Sequence, residues 1–337
     1  MRVKLSVPRG GPSIAAGNGA VAGLTPKFIR VDGRQARYYD MGRGEPLVLL
    51  HGGAGGSPNS ANIWSKNLTG LTGSFRVVAL DRLGFGMTAG SVAERDDYQL
   101  QVEFLHQFLR ALKLKFVHLA GHSAGNGVAF FFAVAHPQMV KTLTLISAGM
   151  ATPLDWRHQR MHSLLKKCPE QPVFEAWKCR IRLLSSHPDT TFDNEFWEAQ
   201  RSMDSWRVSH EPSFAKSARH PLRMRVFASR LLALQKRSWN RARAGALGHM
   251  PLLIYYGKDE PLDWLMDDET AQLQGGLALF DLLAAKNPNV KMTVLNEAGH
   301  FVYRDRPGTF NHDLAGFIHE WTHSRSSVSS RRTRATS

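Results

Sequence analysis

The sequence predicts an α/β protein on a mostly parallel sheet with a helical insertion, and three observations predict it. Short β-branched runs alternate with helical patterns from about residue 27 to 148, the rhythm of stacked βαβ units. The rhythm stops between Pro153 and Leu247, where Arg, Trp, Met and His dominate and the pattern reads as amphipathic helices. It resumes at Pro251 and continues to Trp321.

Taken in order, Lys27–Val31 and Ala36–Tyr39, joined at Asp32-Gly33, predict an opening hairpin. Pro46–Leu50 predicts a buried strand running into the glycine-rich His51–Gly56, and Arg76–Leu80 a second strand ending at Asp81. Leu100–Leu112 has helical spacing. Phe116–Ala120 predicts a strand, followed by a sharp glycine turn, the helix Gly125–Ala135 and the strand Val140–Ile146. After the insertion, Pro251–Tyr256 and Lys291–Leu295 predict strands, with helices at Leu277–Leu283 and Thr309–Trp321. The domain reading is a core over 26–150 and 250–323, a helical cap over 151–249, a flexible tail over 1–25 and a disordered basic tail over 324–337.

Composition bounds the function. Hydrophobic residues make up 43% of the chain, enough for a substantial core, and no apolar run reaches the roughly 18 residues that span a bilayer. Pro8, Gly10, Gly11 and Pro12 interrupt any signal-peptide core. Two cysteines, Cys168 and Cys179, are too few for a secreted disulfide scaffold. They are read as reduced thiols in the cap, from which a cytoplasmic location follows. The formal charge is +15, much of it in residues 155–245 and in a Ser-rich tail carrying Arg325, Arg331, Arg332 and Arg334. No nucleic-acid module accompanies that charge, so a solvated basic surface is the expectation. The partner expected is a small molecule, with an anionic one compatible with the charge. Neither nucleic acid nor membrane is expected, and a homodimer is left open. Asn67-Leu68-Thr69 matches a glycosylation sequon and is read as coincidence.

The chemistry concentrates in Gly121-His122-Ser123-Ala124-Gly125, a GxSxG between a predicted strand and a predicted helix. That context is the one a nucleophile elbow needs: the turn lifts a strained serine above the sheet, and glycines stand where strand and helix approach. A serine hydroxyl needs a base, and an imidazole suits that task near neutral pH. His300 follows the strand Lys291–Leu295 and is the candidate among 15 histidines. The orienting acid is expected after the strand Pro251–Tyr256, in Gly257-Lys258-Asp259-Glu260-Pro261. Glu260 is favoured by its position, with Asp259 and then Asp263 as competitors. The acid would fix the imidazole tautomer and stabilise its cation. Backbone N–H groups of Gly53 and Ala124 are the candidate oxyanion donors. The glycines of His51–Gly56 fit neither phosphate-binding pattern, and no metal-ligand spacing is present. Neither cofactor nor metal is therefore expected.

His51–Gly56, Asp81-Arg-Leu-Gly-Phe-Gly86, Gly121–Gly125, Gly257–Pro261 and Gly299-His300 together resemble the α/β-hydrolase superfamily. The resemblance implies its fold: a mostly parallel eight-stranded sheet flanked by helices, with an inserted cap. More narrowly, residues 27–150 and 250–322 are similar to the meta-cleavage-product hydrolases, which split a C–C bond in 2-hydroxy-6-oxo-dienoates from aromatic degradation. The resemblance implies ketonisation of the dienol and then hydrolysis beside the new electron sink, with Ser123 and His300 moving protons. It also makes Asn62 a substrate contact. Two departures stand out: Phe196, not Arg, precedes the cap Trp197, and His122 stands where the family often has Asn. Arg201, one helical turn after Trp197, is the expected substitute clamp for a substrate carboxylate. Trp197, with Trp177, Phe196 and Trp206, is expected either to line an apolar pocket or to pack the cap. The alternatives to C–C hydrolysis are a carboxylesterase on aryl or short acyl esters and a non-catalytic ligand-binding relative.

Overall fold

A computed structural model describes residues 19–21, 23–53, 57–153, 166–170, 172–210, 221–262 and 273–333, with the backbone alone for Val92, 221–225 and 323–333. Its sheet has eight strands: β1 Lys27–Val31, β2 Arg34–Met41, β3 Glu45–Leu50, β4 Phe75–Leu80, β5 Val117–His122, β6 Val140–Ile146, β7 Leu252–Gly257 and β8 Val290–Leu295. Their order is β1-β2-β4-β3-β5-β6-β7-β8. β1 and β2 are antiparallel to their neighbours, and every later pairing is parallel. The α/β expectation is met, and the strands fall where the periodicity put them to within two residues.

Burial explains the strand sequences. β5 and β7 are buried at every position, because helices cover both faces of a parallel sheet. β8 closes the sheet and has no fully buried residue. A short 3₁₀ turn, Ala61–Trp64, precedes α1 Ser65–Leu71. α2 Val92–Asp96, α3 Tyr98–Ala111 and α4 Ala124–Ala135 complete the first half. Between β6 and β7 lie α5 Val173–Leu183, α6 Pro188–Thr191, α7 Asn194–His210 and α8 Pro221–Arg243. The chain ends with α9 Gln274–Ala284, α10 Val302–Asp305 and α11 Pro307–Thr333. α11 corrects the expected ending: the helix runs on through most of the predicted disordered tail, since no glycine or proline follows Gly316 to stop it. Of the flexible tail expected over 1–25, residues 1–18 and 22 lie outside the described residues, and its end is held in place: Gly19 and Val21 are buried, and Gly19 O accepts from Arg37 Nη2 at 3.0 Å.

A buried ion pair ties the loops above the sheet together. Arg37 Nη1 donates to both oxygens of Asp81 at 3.2 and 3.1 Å, with both side chains fully buried. Asp81 also accepts the N–H groups of Ala61 and Met87 at 2.6 and 3.0 Å, so its charge is met on several sides. A Cβ on Gly86, at φ +53°, would stand 2.0 Å from an Asp81 oxygen, which explains that glycine. Asn67 is buried and donates to Tyr303 O at 2.7 Å, so the sequon is closed to glycosylation in the folded chain.

The cysteines correct the reading of reduced thiols. Cys168 and Cys179 form a disulfide, with Cα atoms 5.7 Å apart, within bridging range. A reducing compartment therefore no longer follows from them. Among the described residues no helix is long and apolar enough to cross a membrane.

Asp81→Ala should cost about 3–5 kcal/mol, because it strands the Arg37 cation in the interior. Equilibrium denaturation is the measurement; a loss under about 1 kcal/mol would show that the pair does not hold the loops.

Candidate active site

Ser123 joins β5 to α4 with φ +54° and ψ −119°, a region where a non-glycine residue is strained by about 1–3 kcal/mol. The surroundings leave it little choice. Its N–H donates to Ile146 O at 3.0 Å, holding the turn to β6. A Cβ on Gly121 would stand 2.4 Å from Gly125 O, and one on Gly125 would stand 2.4 Å from His51 O. Only glycine permits those approaches. Asn126, fully buried, donates to Ser147 O at 2.8 Å and accepts Ala151 N–H at 3.2 Å, pinning the start of α4 to the loop after β6.

Glu260 and His300, the candidate acid and base, lie side by side. His300 Nδ1 lies 2.9 and 2.8 Å from the two oxygens of Glu260. Glu260 is fully buried, and its carboxylate accepts Ala148 N–H and Leu262 N–H, each at 3.1 Å. Asp259 is exposed and faces Ser186 Oγ at 3.5 Å, so it does not orient His300. Asp263 lies outside the described residues. With Nδ1–H donated to Glu260, the imidazole keeps Nε2 as its free basic nitrogen.

His122, which the sequence marked only as a departure, links the Ser123 turn to the His300 loop. Its Nε2–H donates to His300 O at 2.8 Å, and its Nδ1 accepts the Tyr303 hydroxyl at 3.2 Å. Ser147 Oγ donates to the same carbonyl at 2.8 Å, and the two imidazole rings are 4.6 Å apart. Burial, followed by the neighbouring His300, holds the His122 pKa well below its ordinary value. His122 is therefore a neutral spacer that carries no charge into the site.

The loop that carries Gly53 is clamped from behind. Gly53 has φ +95°, and a Cβ there would meet Asn59 Nδ2 at 2.3 Å. Arg82 Nη2 donates to Gly52 O and Gly53 O at 3.1 and 2.6 Å. His51 Nδ1–H donates to Gly52 O at 2.7 Å, while its Nε2 accepts Arg82 N–H at 3.1 Å. Burial lowers the Arg82 pKa to about 10, still cationic at neutral pH, and its guanidinium lies 4.4 Å from the Phe85 ring centre. Arg82 was visible only as part of a motif; nothing in the spacing announced that it would grip the carbonyls. Ala124 follows Ser123 at the first position of α4.

Each of the three residues expected to contact substrate has partners within the protein. Asn62 is fully buried: its Oδ1 accepts Tyr39 Oη–H at 2.7 Å and Arg37 Nη2–H at 3.0 Å, and its Nδ2 donates to Gly19 O at 2.8 Å. Its amide supports the Arg37–Asp81 network instead. Arg201 Nη2 bonds Glu175 at 2.7 Å with both side chains well exposed, and its guanidinium lies over Phe174, so it staples α7 to α5 at the surface. Trp197 is 7% exposed and packs against Trp177, Phe192 and Phe196, the cap-packing alternative. Gln200, not singled out from the sequence, joins α7 to the core loop: it accepts Ser60 Oγ–H and donates to Pro58 O, each at 2.5 Å.

A family model described as alpha/beta hydrolase fold matches residues 45–167. This is an α/β-hydrolase-fold protein. The 2-hydroxy-6-oxononadienedioate/2-hydroxy-6-oxononatrienedioate hydrolase of Paraburkholderia xenovorans (strain LB400) is 27% identical over 303 residues, covering 87% of this chain and 95% of the relative. The 2-hydroxymuconate semialdehyde hydrolase of Pseudomonas sp. (strain CF600) is 26% identical over 86% of this chain and 92% of its own length. Among solved structures, the meta-cleavage product hydrolase CumD from Pseudomonas fluorescens IP01 superposes with a TM-score of 0.67 at 19% identity, covering 88% of this chain and 98% of CumD. A lipase-like protein from Acinetobacter baumannii AYE also gives 0.67, at 21% identity over 90% and 93%.

Because His122 is held neutral in the fold but protonates freely when unfolded, the unfolded chain binds more protons as pH falls below about 6.5. Stability should therefore drop with pH there, by up to about 1.4 kcal/mol per unit for this group. His122→Asn should flatten the decline in denaturation free energy between pH 7.5 and 5.5; an unchanged slope would contradict a neutral buried His122.

Proposed function

We propose that this α/β hydrolase uses Ser123 as nucleophile to cleave a C–C bond in a 2-hydroxy-6-oxo-dienoate-type ring-fission product. The observation that carries the reading is the buried Glu260–His300 pair on loops adjoining the strained serine. Likeness to dienedioate hydrolases along almost the whole chain supports the substrate class. After the dienol ketonises, His300 Nε2 takes the Ser123 proton as Oγ attacks the 6-oxo carbon, and Glu260 stabilises the imidazolium. The resulting oxyanion rests on Gly53 N–H and Ala124 N–H. Collapse breaks the C–C bond, its electron pair passes into the conjugated keto acid, and His300 returns the proton to carbon. Water, deprotonated by His300, then hydrolyses the acyl-serine to a carboxylic acid.

One observation favours the second reading, a carboxylesterase: Arg201, the expected carboxylate clamp, is paired with Glu175. The same Ser123–His300–Glu260 set would serve an ester, with an alkoxide as leaving group. The substrate comparison decides between them. A coloured dienoate turned over with far higher kcat/KM than a p-nitrophenyl ester supports C–C hydrolysis; ester turnover alone selects the esterase.

Ser123→Ala and His300→Ala should each lower turnover at least ~10³-fold, since the pair acts as a unit. Glu260→Gln should lower kcat by orders of magnitude while Asp259→Asn stays within a few-fold. Steady-state kinetics giving the reverse acid pattern would contradict the role assigned to Glu260. Arg201→Ala should leave kcat/KM for an acidic and a neutral substrate equally unaffected, and a selective loss on the acidic one would restore the clamp.

A further inference from the structure

The cap's longest helix presents a basic face with no acid. α8 spans 23 residues and carries neither Asp nor Glu. Its buried side is Leu231, Gln235, Ser238, Trp239 and Ala242. At 3.6 residues per turn, the opposite arc holds Arg230, Lys236, Arg237, Asn240, Arg241 and Arg243, all exposed. Arg230 pairs with Asp97 at 3.3 Å. Among the described residues, no ion pair holds Lys236, Arg237, Arg241 or Arg243. An ordinary solvated helix mixes both signs along its exposed face.

One end of this stripe is apolar. Val226, one turn before Arg230 on the same arc, is 45% exposed. Leu100, one turn beyond the Asp97 that Arg230 bonds, is 39% exposed. The two helices meet there, with Phe227 and Tyr98 rings 6.2 Å apart. Large apolar side chains left in water beside an unneutralised cationic stripe match a lipid interface, where the stripe meets headgroups and the apolar residues enter the acyl boundary. A nucleic-acid backbone would use the charge but give Val226 and Leu100 nothing to bury.

We infer that the exposed face of α8, with Leu100 and Val226 at its end, docks the protein on anionic phospholipid surfaces. The sequence alone suggested only a solvated basic surface, because it did not show the charges on one arc with apolar residues beside them. The inference is independent of the reaction catalysed.

The test is co-sedimentation of the full chain with phosphatidylcholine vesicles, with and without phosphatidylglycerol, at ~0.1 M and ~0.5 M salt. Binding is expected only to the anionic vesicles and should weaken at the higher salt. Each removed charge should weaken partitioning roughly fivefold, about 1 kcal/mol. The combined Lys236→Gln, Arg237→Gln, Arg241→Gln variant should thus bind ~100-fold more weakly at unchanged ester or dienoate turnover. Leu100→Ser with Val226→Ser should weaken vesicle binding several-fold further. Equal binding to both vesicle types, or wild-type binding by the triple variant, would overturn the inference. Binding of duplex DNA by a protein that ignores anionic vesicles would also overturn it and assign the face to nucleic acid.

Discussion

The positive φ of Ser123 is the constraint on which the rest of the site depends. A strand must end and a helix begin at one residue, and that residue must bear a side chain, so the strain of about 1–3 kcal/mol cannot be relieved by glycine. The fold absorbs it by close approach: Gly121 against Gly125, Gly125 against the His51 carbonyl, and the Ser123 amide against Ile146. Each approach brings another element of the site into register. The carbonyl of His51 belongs to the loop that carries Gly53, and Ile146 leads to Ser147 and Ala148, which bond His300 and Glu260.

Electrostatics then divide the site into charged supports and a neutral junction. Arg37 with Asp81, and Arg82 against the Gly52 and Gly53 carbonyls, are buried cations whose desolvation is offset by several hydrogen bonds each. They lock backbone positions. Between the Ser123 turn and the His300 loop, His122 is kept neutral by burial. Glu260 faces His300 Nδ1 and is held in place by two backbone N–H groups.

The sheet and the positions of the candidate site residues were legible in the sequence because each is announced by a local rule. Strand periodicity, the GxSxG context and the third position after Gly257 are short-range patterns, and Glu260 rather than Asp259 is the carboxylate that lies beside His300. What the sequence did not carry was long-range. Asn62 stands at the expected place in its motif, but Arg37, on a different strand, claims its oxygen. Arg201 is one turn from Trp197 as expected, yet its partner Glu175 sits on a neighbouring helix that the sequence could not orient. Cys168 and Cys179 looked like two packed thiols because their spacing does not reveal that the chain folds back before α5 to bring them together. Arg82 and His122 were quoted within motifs, but their work is to hold carbonyls contributed by other loops.

We propose that the elbow geometry makes Ser123 the activated nucleophile. Peptide mapping by mass spectrometry after reaction with a fluorophosphonate tests it most directly. The account predicts one covalent adduct per chain, on the peptide holding Ser123, with loss of turnover in proportion to labelling. Full turnover by protein completely modified at Ser123 would contradict it.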